Sequence, residues 1–486
     1  MDHGSDFHLP LVTGGCPRGR VGLWPTYGTL KACLPVLGWL PKYRYSWLQM
    51  DLIAGFTVGL TTVPQALAYA EVVGLPPQYG LYSAFMGGFI YCIFGTSKDV
   101  VLGPTAIMSL LCAPHVGHHP GHAVLLTFLC GVIQVIMALL RLGFLLDHIS
   151  DSVIKGFTCA AAVTIVFGQL KNLLGVEDIP QQFFEQMYYT CMKIPEARPG
   201  DILMGALCLG MLVFLPKWLK SSGQNSDDRV SGSRRLQGLI WGLVTARSVL
   251  VVIIATCVGW FFDSSDYKFL TLTGEASQGL PPLKPPPFSE TTSNGTVISF
   301  SDIVQNLEGG LVIIPLMGLL ESIAIAKAYA SQNDYRIDTN QEIFSIGLTN
   351  ILGSFVSSYP VTGSFGRSAV NSQTGVCTPA GGIVTGTIVL LSLAFFMPFF
   401  HYIPKASLAA VIICSVAPMA DHRVLPDLWR NRRMDLLPFL VTFLISFWAV
   451  PLGIVGGVSA SGIMNIYKRT KSVQRSIKTL GNTQNI

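Results

Sequence analysis

Residues 340–375 read NQEIFSIGLTNILGSFVSSYPVTGSFGRSAVNSQTG, and this stretch decides the fold. Its first part belongs to an apolar segment at 339–357 that suits a membrane span. After Pro360, a second segment at 361–371 opens with Thr-Gly-Ser-Phe-Gly-Arg. This second segment is too short to cross a bilayer of about 30 Å as a helix. It therefore predicts a helix that starts in the middle of the membrane.

The first half of the chain carries a similar pattern. The segment at 100–113 is also too short to span, and it contains Gly-Pro-Thr around Pro104. Pro64 and Pro315 are each expected to break a longer apolar span, the first and the eighth. Short or interrupted spans in corresponding halves are the best sequence indication of a transporter's binding site.

Composition makes lipid part of the solvent. Half of the 486 residues are hydrophobic and 12% are charged, whereas a soluble domain carries about 25% charged residues. A secreted disulfide scaffold, a coiled coil and a disordered chain are excluded. We predict an all-α polytopic membrane protein with 14 spans, in two groups of seven separated by a polar stretch at 263–305. The predicted spans are 52–70, 77–95, 100–113, 121–143, 153–173, 200–219, 239–262, 306–329, 339–357, 361–371, 379–400, 404–420, 433–449 and 450–467.

The basic residues orient these spans. Most of the 32 lysines and arginines fall on one side, which the positive-inside rule makes the cytosol, so both termini are expected there. The one N-x-S/T sequon, Asn294-Gly295-Thr296, then lies outside, and Asn294 is a predicted glycosylation site. The predicted domains are a cytosolic segment at 1–50, a transport domain at 51–468 and a cytosolic stub at 469–486. No basic run indicates nucleic-acid binding.

Helix starts inside a membrane can bind anions. The first N–H groups of a helix have no partner within it and carry a partial positive charge. Two such starts, from the third and tenth spans, would form an anion site without any basic side chain. Pro104 suits a helix start, and Gly363 and Gly366 allow close approach of backbone to an ion. The alternative is that these small residues only pack helices together.

Two charged residues are predicted at membrane depth. Arg367 is costly there and hence indicates function, because its field would attract anions; the alternative is a structural pair with Glu321. Burial of Glu321 in the eighth span favours a neutral carboxyl group. A proton taken up at Glu321 would offset the charge of a dianion. The alternative is permanent pairing of Glu321 with Arg367 or Lys327.

Other chemistry receives little support. Four histidines in an outer loop could share a helical face as metal ligands, but the intervening Pro and Gly disfavour a helix, so no metal is predicted; they are His115, His118, His119 and His122. No Walker loop, GxSxG or HExxH motif occurs, so neither an ATP-driven pump nor a hydrolase is supported. No cofactor is predicted.

Several long motifs resemble one family of anion transporters, the sulfate permease (SulP) family. They are PQYGLYSAFMGGFIYCIFGTSK at 77–98, VLGPTAIMSLL at 101–111, SDSVIKGF at 150–157 and the stretch at 340–375. They occur in the family's order, and the resemblance runs from about residue 45 to 468.

The resemblance implies 7+7 inverted repeats with half-helices at spans 3 and 10. A mobile core would hold spans 1–4 and 8–11, and a gate spans 5–7 and 12–14. Members usually form homodimers and end in a cytosolic STAS domain, which would follow residue 468. The family's anion site maps onto Gln65, Tyr69, Thr105, Ser364, Phe365, Gly366 and Arg367.

Two of these positions carry a further interpretation. Gln65 can donate an amide hydrogen to an anion, although a helix–helix hydrogen bond is the alternative. Thr105 departs from members that carry an aromatic residue there. A smaller hydroxyl side chain leaves more room and adds a donor, which favours an oxyanion such as sulfate over a halide. Glu321 stands where proton-coupled sulfate carriers of the family often have Glu.

The function implied is a sodium-independent secondary exchanger of sulfate and related anions, namely chloride, bicarbonate and oxalate. It would work by alternating access, with the proton as a candidate coupled ion, in the plasma membrane and the lysosomal membrane. The first alternative is an uncoupled chloride or anion channel on the same scaffold. The second is an electromechanical or scaffolding membrane protein that binds anions without moving them.

Overall fold

The computed structural model describes most of the chain. The described residues are 34–117, 119–146, 150–176, 179–180, 182–224, 247–264, 269–273, 279–291, 297–307, 309–420, 424–431, 435–448, 452–453 and 455–464. Asn294, His118 and both termini lie outside them, so the predictions about the glycosylation site and the terminal segments stay predictions.

The described residues are mostly helical. The elements of the first half are α1 (Tyr45–Val73), α2 (Gln78–Phe94), β1 (Leu102–Gly103), α3 (Ala106–Val116), α4 (Pro120–Leu139), α5 (Asp151–Leu174), α6 (Phe183–Met192), α7 (Pro199–Gln224) and α8 (Arg247–Ser264). Short helical turns lie at Val36–Trp39, Leu40–Lys42, Gly143–Leu146 and Ile194–Glu196.

The described part of the second half is also mostly helical. Its elements are β2 (Glu290–Thr291), β3 (Val297–Ile298), α9 (Phe300–Leu307), α10 (Gly310–Gln332), α11 (Thr339–Ser354), β4 (Thr362–Gly363), α12 (Phe365–Gln373), α13 (Gly381–Phe395), α14 (Lys405–Val416), α15 (Val424–Asn431), α16 (Leu436–Ser446) and α17 (Val455–Met464). Short turns lie at Met397–Phe400 and Ala417–Met419.

Helix lengths agree with the predicted half-helices. Among the described helices, α1, α4, α5, α8 and α10 are long and apolar enough to cross a membrane, by length and composition. In contrast, α3 has 11 residues and α12 has 9. They therefore rise only ~16 Å and ~13 Å, about half of the hydrocarbon thickness. The count of 14 spans remains a prediction.

Two local predictions need correction. The breaks expected at Pro64 and Pro315 do not occur, because α1 and α10 run through both prolines. In a packed helix, neighbouring side chains can bond the backbone groups near a proline. Gln134 of α4 makes such a bond to α10, since its Nε2 donates to the Pro315 carbonyl oxygen at 3.2 Å. Similarly, α3 continues to Val116, three residues past its predicted end, despite Pro114.

Stretches predicted as loops also contain regular structure. Helix α6 lies between the fifth and sixth predicted spans, and α15 between the twelfth and thirteenth. The polar stretch at 263–305 contains the antiparallel pair β2–β3 and most of α9. These elements are too short or too polar to stand out against the long apolar spans.

Packing among eight helices follows the predicted repeat. Helix α1 packs against α12 and α13, and its counterpart α10 packs against α3 and α4. Helix α2 packs against α13, and its counterpart α11 packs against α4. Helices α2 and α11 pack against each other. Exchanging the four helices α1–α4 with α10–α13 reproduces each of these contacts, whereas the further contact of α3 with α4 has no counterpart of similar extent between α12 and α13.

Glycines allow two equivalent close crossings. At the α4–α11 crossing, a Cβ atom on Gly131 would lie 2.7 Å from the Gly347 carbonyl oxygen. At the α2–α13 crossing, a Cβ atom on Gly88 would collide with the Gly382 carbonyl oxygen. Small residues let membrane helices approach backbone to backbone. The same device therefore fixes both copies of the crossing.

The described residues form two compact units. The first holds those within Met1–Gly143, Asn172–Gly175 and Ala197–Cys414. The second holds those within Phe144–Lys171, Val176–Glu196 and Ser415–Ile486, with Cys159, Leu428 and Phe439 in a hydrophobic cluster. This division differs from the expected core and gate, since α7, α8 and most of α14 belong to the first unit. One reason is that α8 packs on α1.

Candidate functional site

A short strand pair joins the two repeats. In the antiparallel pair β1–β4, Leu102 is opposite Gly363 and Gly103 is opposite Thr362. The pairing is extended by Val101, whose carbonyl oxygen accepts from Ser364 N at 3.1 Å. Because α3 and α12 begin within three residues of their strands, the pair brings both helix N-termini together.

Both N-termini are capped by hydroxyl groups. The Thr105 side chain accepts from Met108 N at 3.3 Å. The Ser364 side chain accepts from Arg367 N at 3.5 Å. Each cap satisfies one of the free first-turn N–H groups and leaves those nearest the helix start as donors. These remaining donors are the backbone N–H groups of Ala106, Ile107, Phe365 and Gly366.

Arg367 lies beside this strand pair without a partner. Its side chain is 1% exposed, and among the described residues its Nε, Nη1 and Nη2 have no hydrogen-bond partner. The guanidinium group reaches β1, because a Cβ atom on Gly103 would lie 3.0 Å from Nη2. A buried guanidinium group has five N–H donors in a planar fork that matches an oxyanion. The arrangement can therefore bind an anion.

Glu321 contacts the residue that caps α3. It is 7% exposed, and its Oε2 accepts from Thr105 Oγ1 at 3.4 Å. Arg367 is its charged neighbour but makes no hydrogen bond with it. Lys327, the other expected partner, is exposed. The hydrogen-bonded pair of Glu321 with Arg367 that the sequence raised as an alternative is therefore not formed.

Other buried carboxylates are far better satisfied. Asp51 accepts four hydrogen bonds, from the Tyr43 hydroxyl, from Cys377 N, and from the backbone N–H and the hydroxyl group of Thr378. Glu342 also accepts four hydrogen bonds, from the Tyr91 hydroxyl, from Ser97 N, and from the backbone N–H and the hydroxyl group of Thr96. A buried carboxylate is costly unless hydrogen bonds compensate its charge. Of these three carboxyl groups, Glu321 is the least supported as an anion, because it accepts one long hydrogen bond among the described residues.

The remaining predicted residues lie on elements that meet here. Gln65 and Tyr69 are one turn apart on α1, which packs on α3 and α12, and residues four apart share a helix face. Gln65 and Phe365 are half-buried, and Tyr69 is buried. Gly366 is exposed, and no heavy atom lies within 4 Å of the position of a Cβ atom there. The start of α12 therefore faces open space.

Two residues of the site were missed from the sequence. The Ser322 hydroxyl accepts from Gly363 N at 2.7 Å and bonds Thr362 Oγ1 at 2.7 Å, so it ties α10 to β4. Tyr359 is fully buried and shares a 3.1 Å hydrogen bond with Ser109. It also interacts electrostatically with Arg367. The available signals were that Ser322 follows Glu321 and that Tyr359 lies just before the short span.

The histidines between residues 115 and 122 form no metal centre in the described part of the chain. No group of three His, Cys, Asp or Glu side chains there could hold a metal ion. The rings of His119 and His122 lie 5.1 Å apart. His115 belongs to α3, and its ring packs near Gly310 at the start of α10.

Sequence comparisons identify relatives of this chain. A sequence model of the sulfate permease family matches residues 48–442. The sodium-independent sulfate anion transporter of Bos taurus is 56% identical over 444 residues, which cover 91% of this chain and 73% of that protein. Sulfate permease 2 of Saccharomyces cerevisiae is 34% identical over 477 residues, covering 92% of this chain and 50% of that protein. The chain thus spans half to about three quarters of these relatives.

Solved structures share the fold. The murine Solute Carrier 26 family member A9 anion transporter, in the inward-facing state, superposes with a TM-score of 0.79 at 22% identity. The match covers 93% of this chain and 74% of that one. The transmembrane domain of the cyanobacterial bicarbonate transporter BicA gives a TM-score of 0.66 at 19% identity, covering 86% and 98%.

Proposed function

This chain belongs to the sulfate permease family, and on that premise we propose that it is a multi-pass membrane transporter that exchanges sulfate and related anions without sodium. The family is one of transporters, so the chain is not an enzyme. The observation that supports the proposal is the guanidinium group of Arg367, which is buried beside two helix N-termini and has no acceptor among the residues that the structure describes. A site with unused donors and positive charge requires an anion.

Charge balance supports a dianion. Each helix N-terminus carries about half a positive charge, and Arg367 adds a full one. An ionised Glu321 would cancel much of this field, whereas a neutral Glu321 leaves it for the substrate. Sulfate, with four oxygen acceptors, can use backbone N–H groups and the planar guanidinium fork together. Chloride, bicarbonate and oxalate are further proposed substrates, because each accepts hydrogen bonds from the same donors.

Proton coupling is the finer part of the proposal. Glu321 is buried and accepts a single 3.4 Å hydrogen bond among the described residues. Taking up a proton there removes a charge that repels sulfate, and in a medium of low dielectric this repulsion amounts to several kcal/mol in order of magnitude. External acid should therefore accelerate sulfate entry.

The remaining features of the proposal follow the family and the charge pattern. The transporter would work by alternating access, as a homodimer with both termini in the cytosol. The transport domain would be 51–468, with the cytosolic segment 1–50 before it and a cytosolic segment from 469 onward. The plasma membrane and the lysosomal membrane are the proposed locations.

Flux in proteoliposomes tests this function. We expect labelled sulfate to enter vesicles only when they contain a counter-anion, and to do so equally in sodium and in potassium buffers. An anion current that reverses at the Nernst potential without a counter-anion would identify a channel instead. Sulfate binding with no flux under any gradient would contradict transport altogether. Arg367→Met serves as the matched inactive control.

A further inference from the structure

The Thr105 hydroxyl occupies a position between a helix start and a carboxyl group. Its oxygen accepts from Met108 N at 3.3 Å, and its hydrogen is directed to Glu321 Oε2 at 3.4 Å. A hydroxyl group has one hydrogen to donate and two lone pairs that accept. While Glu321 is ionised, it can only accept, so it takes the single hydrogen of Thr105.

Protonation of Glu321 reverses this hydrogen bond. A proton from the aqueous side forms an O–H bond at Glu321 Oε2, and no other covalent bond changes. This new O–H group donates to Thr105 Oγ1, which then accepts two hydrogen bonds, from Glu321 and from Met108 N. Both lone pairs are in use, and the hydroxyl hydrogen of Thr105 is released to point elsewhere.

We propose that Thr105 is a proton-controlled donor, which turns its hydroxyl hydrogen toward the bound oxyanion when Glu321 becomes protonated. The proposal rests on the proposed function and adds a mechanism of coupling. One proton would then act twice, since it removes a negative charge and supplies a hydrogen-bond donor. An oxyanion with many acceptor sites gains more from this donor than chloride does.

Few other groups can perform this exchange. The groups that face Glu321 from neighbouring elements are Arg367 of α12 and Thr105 itself. Tyr69 of α1 and Tyr359 lie around Arg367. The Tyr359 hydroxyl is hydrogen-bonded to that of Ser109, and in the described part of the chain the Arg367 guanidinium group has no acceptor that it could exchange. Thr105 is thus the hydroxyl that is bonded to the carboxyl group.

The second helix cap provides an internal control. Ser364 caps α12 as Thr105 caps α3, by accepting from a backbone N–H group three residues on. Among the described residues, however, its hydroxyl has no carboxyl partner. A general weakening of a helix cap should therefore appear in variants of both residues, whereas a proton-controlled effect should appear only in variants of Thr105.

The test compares sulfate uptake at acid and at neutral external pH in proteoliposomes. Thr105→Val removes the hydroxyl group and keeps the shape of the side chain. We expect the ratio of sulfate uptake at acid pH to uptake at neutral pH to fall about tenfold, because losing one hydrogen bond to the anion should weaken its binding by about that factor. Thr105→Ser should restore the ratio. Ser364→Ala should lower uptake by a similar factor at both pH values.

Two results would overturn the proposal. One is a wild-type pH ratio in Thr105→Val, and the other is an equal loss of the ratio in Ser364→Ala. Glu321→Gln provides a second measurement, because its amide nitrogen can donate to Thr105 Oγ1 at every pH, as a protonated Glu321 does. Sulfate affinity of purified Glu321→Gln should be independent of pH and should fall about tenfold on adding Thr105→Val. If the wild type exchanges sulfate but the variants do not show these effects, the donor role of Thr105 is rejected and the transport function stands. If the wild type exchanges no sulfate, the proposed transport function is rejected as well.

Discussion

Arg367 is buried and charged, and it has no hydrogen-bond partner among the described residues. Isolated buried charges are strongly unfavourable, so the folded chain holds an energetic cost that an anion can relieve. Its position in the tenth span predicted a functional charge. The absence of a bond to Glu321 could not be predicted, because the two residues lie on different elements whose approach depends on packing.

This gives a stability prediction that a structural ion pair would reverse. Arg367→Met should leave the melting temperature in sulfate-free detergent unchanged or raised, since replacing a buried charge by an apolar side chain is often stabilising by about 1–4 kcal/mol. The rise in melting temperature caused by added sulfate should disappear, because ligand binding stabilises only a competent site. A melting temperature that falls steeply without sulfate would mean that Arg367 has a protein partner.

Gly366 tests the open space at the start of α12. Gly366→Val should fold normally, since nothing lies within 4 Å of the new Cβ atom, yet its branched side chain should occupy the space that the anion needs. Sulfate uptake should fall at least about tenfold, the effect of about 1.4 kcal/mol. Gly210→Val is the control, because that glycine of α7 also has no atom within 4 Å. Equal uptake by both variants would place the anion elsewhere.

At the scale of elements, the sequence predicts a helix well where the length of its apolar segment alone determines whether it can span the membrane. Segments of 100–113 and 361–371 are too short to span, and α3 and α12 are short helices as expected. The pair β1–β4 was not predicted, since strands of two residues have no periodicity to detect. The bond from Thr105 to Glu321 joins residues 216 positions apart, and only the packing of α3 on α10 creates it. Contacts of this kind cannot be derived from local patterns.

The glycine crossings give an element-scale prediction. Gly131→Val should sharply reduce the yield of folded protein, because its Cβ atom would lie 2.6 Å from Ile351 N and 2.7 Å from the Gly347 carbonyl oxygen. Overpacking of this kind costs about 1–3 kcal/mol, and more where backbone must move. Gly88→Val should behave alike at the equivalent crossing. Size-exclusion profiles measure the effect, and normal profiles for both variants would refute the close crossings.

A second element-scale prediction concerns the segment between α10 and α11. Tyr335 donates to Asp99 Oδ2 at 2.9 Å, and Asn333 Nδ2 donates to the same oxygen at 2.8 Å. Burial, reinforced by the Asp99 carboxylate, raises the pKa of Tyr335, so the hydroxyl stays a donor throughout the neutral range. Its stabilising contribution is complete below the ordinary tyrosine pKa and is lost only above it.

Tyr335→Phe should therefore destabilise the protein by about 1–3 kcal/mol, because Asp99 loses a donor while buried. The loss should be the same throughout the neutral range, because Tyr335 stays protonated there. Thermal unfolding in detergent measures it against Tyr45→Phe, a control in which the tyrosine is 75% exposed. A destabilisation that changes across the neutral range would show that Tyr335 titrates there.

At the scale of the whole molecule, hydropathy and charge determined the class, and packing tests the repeat in part. Most contacts among eight helices occur in the pairs that an inverted repeat would require, while the 7+7 arrangement as a whole stays a prediction. The other pairs, the homodimer and the membrane remain predictions. Composition reports how much apolar surface must be covered, but it does not report which helices cover it, and this is why the two compact units differ from the expected core and gate.

Topology is testable through the sequon outside the described residues. Asn294 should carry a glycan when the chain is made in a eukaryotic host, and Asn294→Gln should abolish a shift in mass on glycosidase treatment. The reason is that the positive-inside orientation puts residues 263–305 outside. If a protease tag in this stretch were cut only from the cytosolic side, the orientation would be wrong.

Location of the bound anion tests the central claim most directly. Selenate resembles sulfate and scatters X-rays anomalously, so crystals of the chain grown in selenate would reveal its position independently of any activity. We expect one anomalous peak beside the Arg367 guanidinium group and the N–H groups that begin α3 and α12, and we expect this peak to be lost in Arg367→Met crystals. A selenate peak at another place, with none at these helix starts, would contradict the account.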